Sequence, residues 1–248
     1  MYIWKCWRDS RSRFIVYLNV VPVTCVLFTI ILATHGPFIT VGKRGPVAGG
    51  AQLWSQIATF ILGGVVSLII LLAALTLAVA SIGEEYKEKT LDFLLTRPRP
   101  RRYWVWTCWS VGVCEILGLV FAGVVGTFGA LTYVSGYVYT WRLLVTTLPL
   151  FVGAVAVYSL TYLLTMLTRS SERGLSYGLG ILFIDLFLPL AGDYWHVHLP
   201  SVMSLMHAGC GWATSNSVAF PLGNLVLYIV VALAFPLAAQ LVLERAEV

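Results

Sequence analysis

Residues 45–83 carry no Asp, Glu, Lys or Arg, and residues 14–33 carry none either. Runs of that length have few structural outlets. A helix needs about 20 apolar residues to cross a bilayer's hydrocarbon core, and several more runs of the same kind follow along the chain. Of 248 residues, 59% are hydrophobic and 11% charged, with a mean hydropathy of +0.86. A soluble domain spends about a quarter of its residues on charge. A soluble globular fold is therefore excluded, as are disordered and collagen-like chains. Little sequence remains for a separate soluble catalytic domain. The five cysteines (Cys6, Cys25, Cys108, Cys114, Cys210) show no C-x-x-C spacing and predict no disulfide framework.

The apolar runs predict an all-α polytopic membrane protein, a single transmembrane domain over residues 1–248. Six spans are expected at 14–33, 53–82, 103–131, 143–167, 175–191 and 221–243. The first run exceeds the core of about 7–15 residues in a cleavable signal peptide, so it reads as an uncleaved span. Six spans bring both termini to one side. Lys and Arg on that side number thirteen, against three (Lys43, Arg44, Arg142) on the other. Positive charge stays inside, so both termini are expected in the cytoplasm. Most tryptophans fall near the predicted span ends, as an aromatic belt would. Residues 192–218, between spans five and six, are expected to form an outer re-entrant segment.

The densest charge lies between Glu84 and Arg102, with ten charged side chains. Residues 83–97 are helix-permissive, and Pro98 and Pro100 end the helix. On a wheel of 100° per residue, Tyr86, Thr90, Phe93 and Leu94 share one face. Glu84, Glu85, Lys87, Glu88, Lys89 and Asp92 fill the opposite arc. Leu91 and Leu95 fall inside that charged arc, which points to a protein partner. The plainer reading is an interfacial helix lying on lipid headgroups.

The stretch 83–101 (GEEYKEKTLDFLLTRPRPR) resembles the signature after the second span of ATP-binding-cassette (ABC) type 2 permeases, approximately E-x-x-x-G-T-L-E-x-L-L-x-x-P-x-S-R. Glu85, Thr90, Leu91, Asp92 (conservatively), Leu94, Leu95, Pro98 and Arg101 match. Lys89 replaces the usual Gly and Pro100 the usual Ser. The resemblance implies that 83–97 is a coupling helix docking on a separate cytoplasmic ATPase. Glu84, Glu85, Lys87, Glu88, Thr90, Leu91, Leu94, Leu95, Pro98 and Arg101 are the expected contacts. It also implies a second permease protomer, identical or related, a pathway between protomers, export, and a bacterial inner membrane. ATP and Mg are expected on the partner chain, with no cofactor bound by this one. In keeping with that, the sequence has no G-x-x-x-x-G-K-[ST] phosphate loop. The turn 169–174 is a candidate second contact.

Other features compete for attention. Glu115 and Asp185 fall inside predicted spans, where ionisable groups normally face a bundle interior, a partner or water. They are candidates for a substrate pathway, or for hydrogen bonds between helices. His196, His198, His207 and Cys210 gather in the last outer segment but fit no standard metal-ligand spacing, and no metal is expected. Residues 174–178 match G-x-S-x-G, yet they open an apolar run rather than a strand-to-helix elbow. Gly118, Ala122, Gly126 and Ala130 repeat every fourth residue and mark a close helix contact, within the chain or at a dimer seam. No nucleic-acid partner is expected. Two rival functions remain at this stage: a non-transporting scaffold or assembly factor bound to an ATPase, and a carrier driven by an ion gradient.

Overall fold

The computed structural model describes residues 2–35, 57–87, 101–135, 142–195, 200–214 and 220–245. These residues are helical almost throughout. Helix α1 is Tyr2–His35. Helix α2 is Ser67–Lys87, preceded by a π-helical turn at Ile61–Val66. Helix α3 is Arg101–Ser135, α4 the single turn Arg142–Val145, and α5 Thr147–Thr168. Helix α6 is Ser171–Trp195, α7 Val202–Thr214 and α8 Leu222–Arg245. Five segments are long and apolar enough to cross a membrane: Ile3–Leu32, Ile57–Gly83, Arg102–Val134, Thr147–Thr168 and Leu222–Arg245. Helix α6 covers the predicted fifth span with 25 residues, but it is not among those five. Its described part carries Glu172, Arg173 and Asp185.

Helices α2 and α5 form the interior. In the most apolar stretch of each, 72% of residues are buried in protein, against 17% for α1 and 22% for α8, which leaves the outer helices a broad face for lipid. Helix α5 packs on α2, α3, α6, α7 and α8. It can do so because Gly153, Ala154, Ala156 and Ser159 keep its surface thin, so neighbouring backbones approach closely.

Interhelical contacts fix the direction of each helix. Along α1 and α3, Ser10 meets Glu115, Pro22 lies near Gly126, and Cys25 meets Thr127. The numbers rise together, so α1 and α3 run parallel. Arg13 and Tyr17 meet Thr76, whereas Val21 lies beside Val66, so α2 runs against α1. Tyr162 donates to the Val105 carbonyl at 2.9 Å and Trp109 to Ser159 at 2.8 Å, so α5 opposes α3. Gly174 sits on Thr165 and Gly178 on Thr161, so α6 opposes α5. Trp106 donates to Gln240 at 3.0 Å, bringing the C-terminal end of α8 level with the start of α3. The long helices thus alternate in direction, and both ends of the described chain lie at one end of the bundle, the base.

Two features differ from what the sequence pattern suggests, and the structure decides a third that the pattern left open. Helix α1 begins at Tyr2 rather than near residue 14, because Lys5, Arg8, Arg11 and Arg13 extend the same helix at the base. Cys6 and Cys108, which no spacing marked as a pair, are joined by a disulfide with their Cα atoms 5.6 Å apart. The glycine stripe of α3 serves the chain's own packing: Gly118 faces Phe14 and Gly126 faces Pro22, both on α1. The apparent nucleophile elbow is also packing. Its residues lie within α6, Gly174 and Gly178 press on α5, and Ser176 donates its hydroxyl to the Glu172 carbonyl one turn back.

Candidate functional site

The base of the bundle collects the N-terminal turns of α1, the exit of α2, the entry of α3 and the turn between α5 and α6. Helix α2 passes Gly83 without a break and carries the backbone of Glu84, Glu85 and Lys87 as its last turn. The predicted coupling helix is thus continuous with the second span over its first residues. Glu88, Thr90, Leu91, Leu94, Leu95 and Pro98 lie outside the described residues, and Arg101 opens α3.

Gly83 is where α2 touches the neighbouring turn. A Cβ there would stand 2.7 Å from the Ser171 Cβ, closer than carbon atoms sit, and a tight 3.2 Å from its Cα. Only a glycine lets the α2 exit lie flat against the start of α6. The turn itself is compressed: Arg169 caps α5 in the left-handed region, at φ 49°, and α6 begins at Ser171. A non-glycine residue rarely adopts that conformation. The structure therefore brings together two places the sequence marks separately, the start of the 83–97 segment and the 169–174 turn.

Glu115 lies lower than its position in the span suggested. Helix α3 has 35 residues, about 52 Å at 1.5 Å per residue, well beyond a hydrocarbon core of ~30 Å. Part of it must project, and Glu115 stands level with Ser10, within the basic N-terminal stretch of α1. The Ser10 hydroxyl donates to Glu115 Oε1. Glu115 Oε2 is buried and has no hydrogen-bond partner among the described residues.

Asp185 is a helix cap supplied from another helix. Its Oδ1 accepts the Val202 N–H at 3.0 Å and its Oδ2 the Met203 N–H at 3.2 Å. Ser201 Oγ accepts the Ser204 N–H at 2.9 Å. The first three N–H groups of α7 are thereby satisfied, which matters where water is scarce. The charge also suits the positive end of the helix dipole. Sequence spacing could not reveal the pairing, although Ser201 ahead of an apolar run is a cap signal. We expect Asp185→Ala to leave two N–H groups bare and lower stability by about 2 kcal/mol. Asp185→Asn, which keeps one acceptor, should lose roughly half as much, as read from thermal unfolding in detergent.

Helix α7 is too short to cross a bilayer and packs on α5 and on the π turn, with Met206 and Val202 against Gly153 and His207 against Gly63. Of the suspected metal cluster, His196 and His198 lie outside the described residues. His207 is exposed, whereas Cys210 is buried on the same helix. Burial pushes the Cys210 thiol up to about 12, which disfavours the thiolate a metal would need. Among the described residues no three His, Cys, Asp or Glu side chains are placed to hold a metal ion.

A family model described as "ABC-2 family transporter protein" matches residues 14–247. The chain belongs to the ABC-2 transporter family. It is accordingly a multi-pass membrane protein and a permease component of an ABC transporter. No curated protein and no solved structure matches it. Sequence reasoning missed Ser10 as the partner of Glu115, because a serine within a basic run carries no signal of its own.

Proposed function

We propose that this chain is the six-span permease subunit of an ABC exporter, driven by a separate cytoplasmic ATPase that grips the base of the bundle. In this reading α6 is the fifth span, both termini are cytoplasmic in an inner membrane, and α7 is the re-entrant outer segment. ATP and Mg belong to the partner chain. A second permease protomer, identical or related, completes the transporter.

The observation that carries the reading is the Gly83–Ser171 contact beneath a family match spanning nearly the whole chain. It makes the α2 exit and the α5–α6 turn one mechanical surface. An ATPase pressing on residues 84–101 would move α2 directly, α3 through Arg101, and α6 through Ser171. Three helices would then respond to one push, as alternating access requires. Glu115 and Asp185 have local partners in this scheme: Asp185 ties α6 to α7, so that motion at the base reaches the outer segment.

The test is a mild-detergent pull-down of the tagged protein from its native membrane, with every co-purifying chain identified. A stoichiometric partner bearing a phosphate loop is expected. A clean preparation from cells that make such an ATPase would overturn the coupling. Nucleotide-dependent flux in proteoliposomes then separates a transporter from a scaffold.

A further inference from the structure

We propose that a cleft between α1 and α3, on the flank of the bundle near its base, binds an amphipathic amine. The ammonium lies against Glu115, and the apolar body runs along Ile3, Trp7, Phe14 and Val111. The cleft encloses about 500 Å³ and is also bordered by Ser110 and Cys114. That volume is in the range of small-molecule sites, which combine apolar walls with a few fixed polar groups.

Glu115 decides the chemistry. It is 3% exposed, one oxygen takes the Ser10 hydroxyl, and the other has no partner among the described residues. A buried carboxylate oxygen left bare is costly, and a cation brought to it supplies both the missing donor and the missing charge. No described Lys or Arg side chain makes that pair with Glu115. An anion would be repelled, and a neutral amphiphile would supply at most a weak donor.

The aromatic wall points the same way. Trp7 and Phe14 have ring centroids 5.5 Å apart, tilted by 60°. An ammonium within about 6 Å of such a ring face is attracted by its quadrupole. The walls are held in register by the close approach of α1 and α3, with Gly118 packed on Phe14. Ile3 is exposed and Trp7 and Phe14 are half-buried, so the mouth of the cleft is open, and Glu115 at its floor, 3% exposed, must turn toward the ammonium to meet it. The occupant is either a lipid with an amino headgroup or a free amphipathic amine, since both carry the same recognised parts. The inference concerns this chain alone and needs no ATPase.

Native mass spectrometry of the full-length protein from dodecyl maltoside tests it, with dodecylamine, dodecanol and dodecanoate as probes of equal chain length. One dodecylamine per chain is expected, at least tenfold tighter than either other probe. Glu115→Gln should reduce that preference to within twofold, and Trp7→Ala should weaken dodecylamine at least threefold. Equal binding of dodecanol, or a preference that survives Glu115→Gln, overturns the proposal. Should Glu115→Gln fail to fold, Ser110→Trp fills the cleft from an exposed position, and undiminished dodecylamine binding in that variant overturns it equally. Displacement of dodecylamine by phosphatidylethanolamine and not by phosphatidylglycerol supports a lipid occupant. Displacement by neither supports a free amine, and equal displacement by phosphatidylglycerol, which has no amine, rejects the site.

Discussion

Replacing Leu91 and Leu95 together by aspartate is expected to abolish nucleotide-driven transport while leaving the bundle folded. Both leucines fall within the charged arc of the 83–97 segment, where in the proposed reading the ATPase surface shelters them. Burying a leucine side chain contributes roughly 2 kcal/mol. Losing two, and asking the partner to bury two carboxylates instead, removes about 4 kcal/mol or more. Each 1.4 kcal/mol is about a factor of ten in affinity, so association should weaken by roughly 1,000-fold. Co-purification of the ATPase and flux in proteoliposomes should fail together. Lys87→Ala is the useful contrast, because an exposed ion pair is worth about 1 kcal/mol at most and some coupling should survive. Full transport in the double aspartate variant would remove the coupling role from this segment.

The second large effect is structural. A valine at Gly112 would place its Cβ 2.6 Å from the Tyr158 Cε2, and closer still to its Cζ and hydroxyl oxygen. Tyr158 has no room to yield. It is fully buried, its hydroxyl lies 3.4 Å from both Ser81 Oγ and the Cys108 carbonyl, and its ring packs on Tyr162. Helices α3 and α5 must therefore separate, which strains the Trp109–Ser159 and Tyr162–Val105 hydrogen bonds on either side. Overpacking of a tight contact costs about 1–3 kcal/mol and sometimes more. With the flanking bonds included we expect about 4 kcal/mol, seen as a large drop in thermal midpoint and in monodisperse yield. Gly129→Val, where nothing lies within 4 Å, should change stability by no more than about 0.5 kcal/mol. Adding Tyr158→Ala to Gly112→Val should recover part of the loss.

Much of the fold was legible because a bilayer allows few alternatives. Long uncharged runs must become helices when no water is present to satisfy the backbone. The five apolar helices lie where those runs predict them. Charge misled at the ends. The basic stretch before residue 14 bounds the predicted first span, yet the helix runs through that stretch from Tyr2, because long basic side chains can follow an apolar surface while the backbone stays regular. Arg13 instead turns inward and donates to the Thr76 carbonyl on α2 at 3.2 Å.

The site was legible only in its linear part. A motif of consecutive residues, like the one at 83–101, can be read from sequence, whereas most of its residues lie outside those the structure describes. Contacts between distant residues cannot be read that way without knowing which helix faces lie together. Ser10 with Glu115, Asp185 with the start of α7, and Gly83 with Ser171 all depend on helix rotation and depth. Periodicity leaves both undetermined in a helix that is apolar all round. The π turn at 61–66 adds to this, since it changes the helical register ahead of α2 with no marker beyond the Gly63–Gly64 pair.

The parallel pairing of α1 with α3 has a consequence for biosynthesis. The cysteines that join the two helices are 102 residues apart. At a translation rate of about 5–20 residues per second, the first helix waits roughly 5–20 s in the bilayer before its principal neighbour has been made. Through that interval it has only α2 to pack on and otherwise faces lipid, anchored by the arginines at its base. Its mostly unburied apolar surface equips it for the wait, and the nascent third helix then docks onto a partner already fixed in orientation.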